Sequence, residues 1–130
     1  MVNFFTTPIF YITPYVVFWS ILNGLIVYGL IRLIKIHISR SSQIMTAIAT
    51  ALTSIAWNWS IVFNQSTRYL NVDHPALRVS WADALNGICV FAMISFLLGQ
   101  FTSKKCPAET VTATATLAAL VTVVTDIFFF

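Results

Sequence analysis

Asp83, Asp126, Asn23 and Asn86 are the residues of this chain whose chemistry stands out most, because each lies inside or at the edge of a long apolar run. An acid in such a run is a functional hypothesis by default, since a charge at mid-bilayer costs at least about 2.5–3.5 kcal/mol. An asparagine there has two readings. One is the polar lining of a pore or ligand site. The other is an interhelical hydrogen bond worth roughly 0.6–2 kcal/mol, with the neighbouring Gly24 or Gly87 letting two backbones approach. An amide both donates and accepts, so Asn23 and Asn86 are expected to point inward at similar depth and to bond each other or a backbone carbonyl.

The acids differ in position. Asp83 falls about one turn into its helix, where the helix dipole favours an anion. Asp126 falls about one turn from a helix end, where the dipole opposes it, so Arg68, Arg78 or another subunit is the expected partner. Two stripes of small residues recur at helical spacing, Ala47–Ala51–Ser54–Asn58 and Ala115–Ala118–Thr122–Asp126. Small residues at this spacing let membrane helices pack closely. If the chain conducts a solute, Asn23, Asn86, Thr122 and Asp126 are the residues expected along the path.

Other site chemistries find little here. His37 and His74 fall at opposite boundaries, and the sequence holds no Cys-x-x-Cys, no Gly-rich phosphate loop and no Ser-His-Asp set confined to one side. Catalytic residues, cofactor and metal site are all expected to be none, and the chain reads as a non-enzyme. Cys89 and Cys106 are expected at different depths, hence as free thiols, because bridgeable Cα atoms lie within about 7 Å. The sequons Asn58-Trp59-Ser60 and Asn64-Gln65-Ser66 lie in or against an apolar run and carry no expectation of glycosylation.

The elements that must position these residues follow from composition. Of 130 residues, 58% are hydrophobic and 8% charged, against about 25% charged in soluble domains. The apolar runs approach the roughly 20 residues that a helix needs to cross a bilayer. The fold class expected is an all-α integral membrane protein, one domain over 1–130 with four transmembrane helices at about 12–36, 43–64, 79–101 and 110–130. Pro14 falls in the opening turn of the first and Pro107 just before the fourth, both tolerated at helix starts. The run VTATATLAAL alternates like a strand, but a lone strand in lipid would leave its backbone groups unpaired, so helix is the expectation.

Basic residues set the orientation. Arg32, Lys35, Arg40, Lys104 and Lys105 flank the first and third loops, whereas Arg68 and Arg78 belong to the middle one. By the positive-inside rule both termini are expected on the exoplasmic side of the plasma (inner) membrane. Trp19, Trp57, Trp59 and Trp81 then fall toward the outer side, as interfacial aromatics do. The partners implied are the lipid bilayer and other membrane protein subunits. Seven Lys or Arg placed beside apolar runs do not suggest nucleic acid.

ILNGLIVYGLI at 21–31 returns as ALNGICVFAMI at 84–94, and MTAIAT at 45–50 resembles VTATAT at 111–116 once three residues are allowed in the loop. That alignment sets Ser60 opposite Asp126. It suggests a tandem pair of parallel two-helix hairpins related by an axis near the membrane normal. Function is expected to be that of a non-catalytic subunit that scaffolds or stabilises a larger membrane complex. A small homo-oligomeric channel or transporter, and a membrane immunity or superinfection-exclusion protein, remain open beside it.

Overall fold

The computed structural model describes residues 9–63, 81–101 and 107–129, with side chains described for 14–60, 81–100 and 107–128. Four α-helices follow one another: α1 (Ile9–Ile34), α2 (Arg40–Phe63), α3 (Trp81–Phe101) and α4 (Ala108–Phe129). Three contain stretches long and apolar enough to cross a membrane: Pro14–Ile34, Trp81–Gln100 and Ala108–Phe128. The fourth, α2, is less apolar.

The boundaries shift from those expected. α1 begins at Ile9 rather than residue 12, so Pro14 lies inside the helix and not in its opening turn. α1 ends at Ile34 and α2 already begins at Arg40, so the first loop is tighter than the sequence suggested. Its geometry explains this. The Ile36 amide donates to the Ile31 carbonyl (3.1 Å) and the Lys35 amide to the Arg32 carbonyl (3.3 Å). These are the paired bonds of a Schellman stop, and Lys35 occupies its left-handed position with φ 60°. Four residues on, the Ser39 hydroxyl accepts from the Ser42 amide (3.1 Å) and so caps α2. α3 is described from Trp81, and α4 begins directly after Pro107, whose carbonyl accepts from the Val111 amide.

α1 packs on α2 and α3 on α4 as antiparallel hairpins, and α2–α3 and α1–α4 contacts close the bundle. Gly24 sits so close to α2 that a Cβ there would lie 2.5 Å from the Ala47 carbonyl oxygen. Gly87 stands against α4 in the same way, with Val123 Cγ2 at 2.5 Å and the Ala119 carbonyl at 3.5 Å. Each glycine therefore closes its own hairpin. Neither brings α1 against α3, the approach that their place beside the two asparagines suggested.

The exterior is apolar, and the interior joins an aliphatic cluster of Val27, Ile31, Val90, Ile94 and Leu98 to a set of polar residues. Phe18, Leu25, Leu33, Leu52, Ile88, Phe96, Leu120 and Phe128 are each at least half exposed, whereas Ser20, Asn23, Thr50, Ser54, Asn86, Thr122 and Asp126 are buried. The low apolarity of α2 has this origin. Its inner face carries Ser42, Thr46, Thr50 and Ser54, while Ile44, Ile48 and Leu52 face outward. Thr46, Thr50, Thr114, Thr122 and Thr125 each donate a hydroxyl to the carbonyl four residues back, at 2.8 Å. A threonine-rich face thus becomes packable without partners from other helices. The alternating threonines of α4 belong to a helix.

Candidate functional site

The two asparagines meet the fourth helix one turn apart. Asn23 is 1% exposed; its Nδ2 donates to Thr122 Oγ1 (3.0 Å) and to Ser54 Oγ (3.4 Å). Asn86 is fully buried; its Nδ2 donates to Asp126 Oδ2 (2.6 Å). Both amides point into the bundle as expected. Their partners are side chains of α2 and α4, and neither the bond to each other nor one to a carbonyl forms. The reason is the packing order. α1 and α3 lie across the bundle from each other, and α2 and α4 each touch both.

Asp126 is only 3% exposed. Its expected partners Arg68 and Arg78 lie outside the described residues, and what the structure brings to it is Asn86. The described cations Arg32, Lys35, His37 and Arg40 are all exposed, on the turn and helix ends at the other end of the bundle. Asp83 lies in the first turn of α3 as expected, one turn from Asn86 on the same helix. Asn58, expected on a packing stripe, is half-buried and donates to the Ser54 carbonyl of its own helix (2.9 Å).

The aromatic cluster divides. Trp57 is a joint between hairpins, its indole N–H donating to the Ala82 carbonyl at the start of α3 (3.1 Å). Trp19 packs edge-on with Tyr15 and Phe18, while Trp81 and Trp59 are exposed. The basic side chains of the first loop and the four tryptophans therefore occupy opposite ends. Cys89 is a free, half-buried thiol, and Cys106 lies outside the described residues.

Placing Asn23 on Asn86 makes the buried positions of α1 and α3 coincide: Gly24 on Gly87, Val27 on Val90, Ile31 on Ile94. For α2 and α4 the match comes at an offset of 72 residues: Ser42 on Thr114, Thr46 on Ala118, Thr50 on Thr122, Ser54 on Asp126. Ser60, which the sequence alignment set opposite Asp126, is exposed and bonds the Ala56 carbonyl. The residue equivalent to Asp126 is Ser54, and each bonds the asparagine of its own hairpin. Under the same matching Ser20 corresponds to Asp83.

Four interior oxygens, Ser20 Oγ, Asn23 Oδ1, Asn86 Oδ1 and Asp126 Oδ1, meet no hydrogen-bond partner among the described residues. Sequence reasoning missed Ser20, although it lies one turn from Asn23 on the buried stripe of α1 and that spacing was the available signal. Among the described residues no three His, Cys, Asp or Glu side chains gather as a metal cluster. The class defined is an all-helical bundle with apolar exterior and a buried polar centre. No protein-family model, curated protein or solved structure matches the chain.

Proposed function

We propose that this chain is a four-span membrane protein acting as a non-catalytic subunit that stabilises a larger membrane complex. The distribution of polarity carries the reading. A surface of Phe, Leu and Ile around an interior that mixes aliphatic side chains with buried hydroxyls and amides suits lipid as solvent, where polar groups must be satisfied within the bundle. On this reading α2 is a span as well, because Ser42, Thr46, Thr50 and Ser54 face inward. The basic loops lie in the cytoplasm, both termini are exoplasmic, and the two hairpins descend from one duplicated unit.

A cleft of about 510 Å³ between α2 and α3 offers the contact surface. Its lining sets the small residues Ala56, Ser60 and Ala92, where a foreign helix could approach closely, beside Trp57, Met93 and Phe96. The partner is a transmembrane helix of another subunit. Purification in gentle detergent tests this: the wild type should bring down a membrane protein in fixed ratio, and Ala56→Trp with Ala92→Trp should release it. A lone monomer from both would overturn the reading.

One observation favours a second reading, a homo-oligomeric channel or transporter. It is the Asn86–Asp126 pair, an acid buried inside the bundle. Flux through liposomes that changes on Asp126→Asn would select it.

A further inference from the structure

The amide hydrogens of Asn23 and Asn86 are turned toward partners inside the bundle, whereas four oxygens beside them meet none. Asn23 spends its amide hydrogens on Thr122 and Ser54, and Asn86 gives one to Asp126 Oδ2. Thr122 gives its hydroxyl hydrogen to the Ala118 carbonyl. What remains is Asp126 Oδ1, Asn86 Oδ1, Asn23 Oδ1 and Ser20 Oγ, on residues that are at most 3% exposed. In an apolar interior an unmet acceptor costs about 1–3 kcal/mol, so four together are a feature needing an occupant. Helical spacing and hydrogen bonds link the residues that carry them. Ser20 is one turn from Asn23, Thr122 one turn from Asp126, and the hydrogen bonds tie the two helices to Asn86 of α3.

We propose that this centre binds one small monovalent cation, with Na⁺ as the fitting probe. The donors are a carboxylate oxygen, two amide oxygens and a hydroxyl, the oxygen-only set that hard cations take. One carboxylate supplies one negative charge, which a monovalent ion neutralises. No described basic side chain competes, since Arg32, Lys35, His37 and Arg40 are exposed at the other end. The site is independent of any partner helix, so its failure would leave the subunit reading standing.

The test is thermal unfolding of the full chain in detergent at fixed pH and ionic strength, in choline, lithium, sodium or potassium chloride. A ligand held only by the native state raises Tm with its concentration and saturates. The wild type should be a few degrees more stable in Na⁺ than in choline, and Asp126→Asn should abolish the difference. Ser20→Ala keeps that conclusion safe if the Asp126 variant does not fold. Ser20 makes no hydrogen bond among the described residues, so a purely structural site would lose nothing on its removal. Loss of a ligand should instead weaken the apparent Na⁺ affinity about tenfold. Equal Tm in all four salts, the result if a proton on Asp126 is the occupant, would overturn the proposal. So would an unchanged Na⁺ dependence in Ser20→Ala.

Discussion

The two hairpins are built alike and charged differently. In the first, Ser20, Asn23 and Ser54 occupy the positions that Asp83, Asn86 and Asp126 hold in the second. Each asparagine bonds the matching residue of its own hairpin, across 3.4 Å to a serine in one case and 2.6 Å to a carboxylate in the other. Each glycine one residue on lets its helices touch. Packing therefore asks only for an amide, a glycine and an acceptor. The carboxyl groups exceed what packing needs, which is why the ion is sought beside Asp126, among oxygens of both hairpins.

The largest expected effect separates the glycines. In Gly24→Ala the new methyl meets the Ala47 carbonyl, which is backbone and moves only with α2. In Gly87→Ala it meets Val123 Cγ2, a side chain that can give way. Overpacking costs about 1–3 kcal/mol, so Gly24→Ala should sit near the top of that range and Gly87→Ala near the bottom. Reversible unfolding in mixed micelles measures both, and equal losses would break the distinction.

The asparagines rank next. Asn86→Leu strips a buried carboxyl of its hydrogen bond and should cost about 2 kcal/mol. Asn23→Leu leaves two hydroxyls, one of them already donating within its own helix, and should cost about 1 kcal/mol. The same unfolding assay applies, and a larger loss at Asn23 would reverse the comparison between hairpins.

Smaller effects test the first turn. Ser39→Ala removes the cap on α2 and should cost about 1 kcal/mol. Lys35→Gly relieves a side chain from the left-handed region and should add about 0.5 kcal/mol. Stability unchanged by both would mean that the turn contributes little to closing the first hairpin.

Much of this was legible in the sequence. Four helices follow from run length, and the burial of Asn23, Asn86 and Thr122 follows from what lipid cannot satisfy. The register between hairpins was not legible, and the reason is geometric. α3 continues four residues further past Asn86 than α1 does past Asn23, and α4 has four more residues before Asp126 than α2 has before Ser54. Four residues are close to one turn, so the extension leaves the buried face where it was and gives no signal in the periodicity. The threonine-alanine runs, matched instead, repeat on several faces. The partners of the asparagines were missed for a related reason: sequence shows which residues need a bond, while packing order decides which helix supplies it.

The paired register is tested most directly by disulfide cross-linking in a background with Cys89 and Cys106 changed to Ser. Asn23→Cys with Ser54→Cys, and Asn86→Cys with Asp126→Cys, should each cross-link under mild oxidation in native membranes. Asn86→Cys with Leu120→Cys, the pair that the sequence alignment would set together, should stay reduced, because Leu120 faces outward. Cross-linking of the Leu120 pair with none at Asp126 would contradict the account.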